Sequence, residues 1–275
     1  FVILPQCYWS DADLTPPHLV TGILKPMETE MKRAVVTGAS SGIGAATVRL
    51  LTQRGWHVVA VARREDRLRE LAAETGCEHF ECDLTNPDAT KQMAQKVLAA
   101  GPVHALVNNA GGALGVDSIA DADPKRWKAM FDKNVITALH ATDAFLPTFR
   151  KEGGSIVFVT STAAHDTYPG GGGYVASKHA ERIIANTLRQ ELVGEPVRFI
   201  EIAPGMVKTD EFSLNRLGNK VEAEKVYEGV AEPLLAQDIA EAIVWTLDLP
   251  PHVNIDSMII RPTAQATNTV VHRDL

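Results

Sequence analysis

The chain holds no run of about 18 consecutive apolar residues, which excludes a membrane-spanning helix and leaves no reason to expect a membrane partner. Cysteine is scarce. Cys7, Cys77 and Cys82 are too few and too oddly spaced for a disulfide framework or a four-ligand zinc site, so no metal is expected. Cys77 and Cys82 flank His79 and read as buried strand thiols, in keeping with a reducing, cytoplasmic compartment. Basic charge is short as well. The 27 Lys and Arg stand against 34 Asp and Glu, a net charge of -7 that argues against nucleic acid as a partner. What is present is apolar side chain, 45% of 275 residues, enough to offset the ordering entropy of a large folded unit.

Residues 1–30 differ from the rest. They hold Pro5, Pro16, Pro17 and Pro26 and show no sustained periodicity, and Phe1 to Leu4 is too short for a signal-peptide core. The segment reads as a flexible or non-native extension, with Met31 as the natural start. From Lys32 onward short apolar runs alternate with helical patterns. Strands are predicted at Ala34–Val36, Val58–Val61, His79–Cys82, Val103–Val107, Ile156–Val159, Val197–Ile202 and Ser257–Ile260. Helices are predicted at Ile43–Arg54, Asp66–Thr75, Pro87–Ala99, Pro124 to about Phe149, Tyr174–Leu192, Glu222–Gly229 and Gln237–Leu247. Pro147 is expected to disturb the last turn of the fourth helix. The expected fold is α/β, a doubly wound Rossmann-type, seven-stranded parallel sheet with helices on both faces, forming one domain over residues 31–275.

Between the first strand and the first helix stands Thr37-Gly38-Ala39-Ser40-Ser41-Gly42-Ile43-Gly44. Gly38, Gly42 and Gly44 allow a tight turn, close approach to a pyrophosphate and packing of helix on sheet. Ser40, Ser41, Ile43 and the helix N-terminus then face the phosphates. About 20 residues further on, an NAD site would carry Asp or Glu for the ribose hydroxyl. Here the chain reads Ala62-Arg63-Arg64, which favours the 2′-phosphate of NADP(H). Glu65 and Asp66 lie near enough in sequence to pair with these arginines.

Tyr174 and Lys178 are four residues apart at a helix start and so share a face. An ammonium beside a phenol lowers its pKa from about 10 toward the working range, making it a usable acid or base. Ser161 follows the fifth strand, at the sheet edge where open α/β folds bind ligands.

Together with Asn108-Asn109-Ala110-Gly111 and Pro204-Gly205, these motifs resemble the short-chain dehydrogenase/reductase family, in its order and spacing, over residues 32 to about 262. The resemblance implies that Tyr174 is the catalytic acid/base, that Lys178 binds the nicotinamide ribose, and that Ser161 hydrogen-bonds the substrate oxygen. Asn134 is similar to the family's helix asparagine that holds a water in the proton relay. Asp83 and Leu84 match the pair beside the adenine; Asn108, Ala110 and Gly111 match the turn under the adenosine ribose. Pro204, Gly205, Val207 and Thr209 belong to the stretch that covers the nicotinamide.

Glu211-Phe212-Ser213, Tyr227, Leu249-Pro250-Pro251-His252-Val253-Asn254-Ile255 and Arg261-Pro262-Thr263-Ala264-Gln265 resemble the NADP-dependent 3-hydroxy acid dehydrogenases. That implies a short β-hydroxy acid as the small-molecule substrate and a homotetramer. A carboxylate substrate calls for a cation in the pocket, and Arg216 is the first candidate, ahead of Arg182 and Lys208. His165 could also face substrate, and Gly170 to Gly173 would give the pocket a flexible wall. The competing readings are a reductase of uncharged ketones or β-ketoacyl groups and a non-catalytic NADPH-binding protein.

Overall fold

In the computed structural model, which describes residues 31–209 and 211–274, β1 (Arg33–Thr37) is buried at every position, as a central parallel strand covered on both faces must be. The expectations for residues 1–30, Cys7 included, lie outside the described residues. After β1 come α1 (Gly42–Gln53), β2 (His57–Ala62), α2 (Glu65–Thr75), β3 (Glu78–Glu81), α3 (Pro87–Ala99) and β4 (Ala105–Asn108). The chain continues through α4 (Pro124–Phe131), a π-helical turn (Asp132–Ile136), α5 (Thr137–Glu152), β5 (Gly154–Val159), α6 (Gly172–Glu191) and β6 (Val197–Pro204). Then follow β7 (Val207–Lys208), α7 (Phe212–Leu217), α8 (Lys220–Lys225), β8 (Leu234–Leu235), α9 (Ala236–Asp248) and β9 (Ser257–Ile260).

Seven strands form one parallel sheet in the order β3-β2-β1-β4-β5-β6-β9, as expected. The winding reverses between β1 and β4, so a crevice opens between their carboxyl ends. Side chains alternate across the sheet. Val36, Val107 and Ile200 pack with Val48 and Leu51 of α1 and Ile239 and Ile243 of α9. Val35, Leu106, Phe158 and Phe199 face the opposite layer with Phe145 and Phe149 of α5. Each such side chain contributes about 1.5–3 kcal/mol when fully buried.

Local signals account for several boundaries. Asn86 accepts from the amides of Asp88 and Ala89, and Pro87 fills the first helical position, so α3 starts there. Pro147, expected to disturb the last turn, lies inside α5 and does not end it. It lies on the exposed face, where solvent can take the carbonyl its ring leaves unpaired, and α5 runs on to Glu152. The predicted single helix from Pro124 is instead interrupted by the π-helical turn, which buries Asn134 completely. The short pair β7–β8 and helix α7 carry too few periodic residues to be read in advance. Cys77 and Cys82 bracket β3 as buried free thiols, and burial pushes both above the usual thiol range.

Candidate active site

The crevice is held together at its base. Thr37 Oγ1 accepts from the amides of Asn109 and Ala110 at 3.0 Å each and donates to the Val107 carbonyl at 3.2 Å. Asn109 Nδ2 returns to the carbonyls of Thr37 at 3.0 Å and Gly38 at 3.3 Å. Gly38 and Gly42 have φ of 63° and 53°, a conformation that favours glycine. A Cβ on Gly38 would stand 2.8 Å from Ala110 Cα, and one on Gly44 would stand 2.4 Å from the Gly38 carbonyl oxygen. Ser41 makes no side-chain cap, and the first turn of α1 has no acidic residue, so the helix N-terminus is open to an anion. A dinucleotide pyrophosphate fits this cradle. Gly44→Ala is expected to displace Gly38 and weaken NADPH binding about tenfold, the effect of a 1–3 kcal/mol overpacking strain, measurable by fluorescence titration. Unchanged affinity would contradict the tight packing.

At the outer end of the cavity stand three cations, Arg63, Arg64 and Lys133. Arg64 donates to Ser40 Oγ and Ser41 Oγ, both at 2.9 Å, and to Glu211 Oε1 at 2.8 Å. Glu65, which sequence proximity offered as a partner, pairs instead with Arg69 at 2.7 Å. The hydrogen bond from Arg64 holds the Glu211 carboxyl below its usual range. Burial, and then the charges of Arg63 and Arg64, depress the Lys133 ammonium. A phosphate placed here would relieve that repulsion. Asp83 and Leu84 line the neighbouring wall, Asp83 Oδ1 being held by the amide and hydroxyl of Thr85 at 3.1 and 2.8 Å. Ala110 and Gly111 line it too.

Two expectations need correction. Asn108 is buried behind the wall with its Nδ2 on Thr142 Oγ1 at 3.0 Å, and Asn109 faces the cavity in its place, because β4 alternates and turns Asn108 inward. Gly44 also stands behind the loop, supporting Gly38 from below.

The inner end gathers Ser161, Tyr174, Lys178, Pro204, Gly205, Val207 and Thr209 around one cavity of about 970 Å³. Tyr174 and Lys178 are 8% and 3% exposed. The Tyr174 ring meets Phe212 of α7 edge-on, with centroids 5.8 Å apart. Ser161 Oγ donates to the Pro204 carbonyl at 3.3 Å and accepts from the Ala163 amide at 3.1 Å. Lys178 Nζ donates to the Val159 carbonyl at 3.0 Å and to Glu181 Oε2 at 2.6 Å.

Asn134 does not reach the cavity. Its Oδ1 accepts from the Gly112 amide at 2.7 Å, and its Nδ2 donates to the Gly112 carbonyl and Ser177 Oγ, both at 2.9 Å. A Cβ on Gly111 would come within 2.6 Å of that Oδ1, so the turn and the asparagine are fitted to each other.

Arg216 does line the cavity. It sits 5.5 Å over the Tyr168 ring, and its Nε donates to the Gly115 carbonyl at 3.2 Å. Arg182 and Lys208 lie elsewhere: Arg182 turns toward Glu201, and Lys208 is exposed on β7. His165 also turns to Glu201, at 3.0 Å. Gly172 and Gly173 prove to be packing positions, since a Cβ on Gly173 would meet Met130 Cε at 2.4 Å. Phe212, from the Glu211-Phe212-Ser213 motif, lines the cavity, and so do Lys133 and Tyr168, which no local motif announces.

A glycine cradle at the switch point, a cationic end, and a serine with a buried tyrosine and lysine along one cavity define a nucleotide-dependent oxidoreductase. Residues 32–218 match the family model for short chain dehydrogenase. An uncharacterized oxidoreductase of Mycobacterium tuberculosis (strain CDC 1551 / Oshkosh) is 50% identical over 241 residues, 87% of this chain and 94% of that protein. A serine 3-dehydrogenase of Agrobacterium fabrum is 41% identical over 240 residues, 84% of this chain and 94% of that protein. The closed form of serine dehydrogenase complexed with NADP+ matches with a TM-score of 0.83 at 36% identity, covering 88% of this chain and 100% of that one. The chain belongs to the short-chain dehydrogenase family. It is an NADP(H)-dependent oxidoreductase acting on CH–OH groups of a small molecule, and no described helix is long and apolar enough to cross a membrane.

Proposed function

We propose that this enzyme interconverts a short 3-hydroxy acid, of the serine or 3-hydroxypropionate kind, and the corresponding 3-oxo acid. The observation that carries this reading is Arg216, a guanidinium placed in the cavity by α7 and stacked over Tyr168. A planar cation there suits a carboxylate, which it can hold by two parallel hydrogen bonds. The serine dehydrogenases among the relatives act on a substrate of this class by name.

In this reading the bound nicotinamide supplies or accepts the hydride. Ser161 donates a hydrogen bond to the substrate oxygen, where negative charge develops on reduction. Tyr174 gives that oxygen a proton, and in the reverse direction takes the alcohol proton as phenolate. Lys178 keeps a positive charge beside the phenol and holds the ribose hydroxyls. Asn134 fixes Gly111 and Gly112 against them. The cations Arg63 and Arg64 take the 2′-phosphate. A single domain over 31–275, a cytoplasmic location and a homotetramer belong to the same reading. The exposed Leu139, Ile183, Trp245 and Ile259 are candidate subunit contacts, and light scattering gives the assembly state.

The test is NADP+ reduction with serine, allo-threonine, 3-hydroxypropionate, 3-hydroxyisobutyrate and a simple secondary alcohol, in wild type and Arg216→Gln. The acids are expected to be preferred, and the substitution to raise their KM about tenfold while leaving the alcohol unchanged, as loss of a charge-assisted pair requires. A wild type that prefers the uncharged alcohol, or equal effects on both substrates, would reject the assignment.

A further inference from the structure

Behind Lys178 lies a second set of ionisable side chains, Glu181 and Glu201, that do not themselves line the cavity but touch its lining from behind. Glu181, one helical turn beyond the lysine, is 1% exposed, and its Oε2 accepts from Lys178 Nζ at 2.6 Å. Glu201, from the adjoining β6, is 0% exposed. Its Oε1 accepts from Thr160 Oγ1 at 2.7 Å and lies 3.0 Å from His165 Nε2, while its Oε2 is 3.7 Å from Arg182 Nε. Glu181 Oε1 and Glu201 Oε2 have no hydrogen-bond partner among the described residues. The titratable groups facing Lys178 are thus Tyr174 and Glu181 on its own helix and Glu201 on β6, with His165 and Arg182 beyond Glu201. β5 offers only the Val159 carbonyl.

We propose that Glu181 is a positioning residue that keeps the buried Lys178 side chain charged and in place as the pH rises, with Glu201 as the second carboxylate of the same buried site. An ammonium so far from water favours its neutral form unless a counter-charge stands beside it. Burial works to depress Lys178, and the charges of Glu181, Tyr174 and Glu201 outweigh it, leaving the lysine above its ordinary value. Burial pushes Glu181 itself up to about 7, an effect that Lys178 opposes and Glu201 reinforces. The carboxyl group therefore gains its charge as the pH rises, the direction in which a buried ammonium without a counter-charge tends to lose its own. The proposal rests on the reading of Lys178 as the group beside the Tyr174 phenol and the ribose.

Glu181→Gln keeps the shape and removes the charge. Its kcat is expected near the wild-type value at about pH 6 and about tenfold below it by about pH 8.5, as Lys178 deprotonates. Glu181→Asp should recover part of the alkaline activity. A pH profile parallel to wild type, whether lowered uniformly or not at all, would overturn the proposal. A second readout needs no turnover: thermal unfolding of full-length Lys178→Met, Glu181→Met and the double variant. Glu181→Met alone strands a buried ammonium, so the double variant is expected to melt several degrees higher than that single one. Additive shifts would overturn the pairing. If Tyr174→Phe retained turnover, the reading of the relay would fail, while this cycle would still report on the pair.

Discussion

Tyr174→Phe is expected to turn over at least about a thousandfold more slowly than wild type while binding NADPH within a few-fold of the original affinity. The substitution removes one hydroxyl and leaves the ring, whose edge-on contact with Phe212 and place against Met130 and Val175 do not depend on the oxygen. Packing is kept; the proton is lost. Positioned general acid–base groups contribute about 10²–10⁴ in rate, so the loss sits toward the upper part of that range where no other donor takes over. Ser161 is a poor substitute, since an aliphatic hydroxyl is a far weaker acid than a phenol and can donate a hydrogen bond without giving up its proton. Steady-state rates with NADPH and a 3-oxo acid give the first quantity, and quenching or enhancement of nucleotide fluorescence gives the second. Wild-type-like turnover would end the mechanism.

Arg64→Ala is expected to lower the preference for NADPH over NADH by about 10- to 100-fold, almost wholly by weakening NADPH. Hydrogen bonds to charged groups contribute about 1.5–3 kcal/mol each, and Arg64 presents a forked donor set held in place by Ser40 and Ser41. The same guanidinium is engaged by Glu211 at 2.8 Å, from the segment just before α7. That carboxyl is held below its usual range by Arg64, so it stays ionised through neutral pH and competes with a phosphate for the same donors. Glu211→Gln should accordingly tighten NADPH a few-fold and leave NADH unchanged. The two substitutions move the cofactor ratio in opposite directions. Ratios that stay flat for both would remove Arg64 from the phosphate site.

The sheet was legible because its strands are buried on both faces and read as apolar runs, and the phosphate turn because Gly38 and Gly44 leave no room for a side chain and Gly42 has a positive φ that favours glycine. Ser161, Tyr174 and Lys178 were legible from spacing and from their place at strand and helix ends, and all three line one cavity. Asn108 and Asn109 were separated only by strand parity, which a four-residue strand states too weakly to read. Arg216, the first candidate cation, does line the cavity, but that Arg182 and His165 do not could not be read without knowing that Glu201 turns inward from β6. The partner of Arg64 stands 147 positions away, beyond any local pattern, and Lys133 becomes a neighbour of Arg63 and Arg64 only when the π-helical turn brings it to the cavity.

The hydroxyl of Thr37 ties the loop after β4 to the end of β1, so both rims of the adenosine side are joined before any nucleotide arrives. Little ordering entropy is then left to lose when that half of the ligand docks. Affinity for the nucleotide is in this sense stored in the folded scaffold, whereas in the proposed reading recognition of the small molecule would draw on Arg216 of α7 and its neighbours. An alteration that loosened the Thr37 tie would show itself as slower capture of the coenzyme long before it disturbed the choice of substrate.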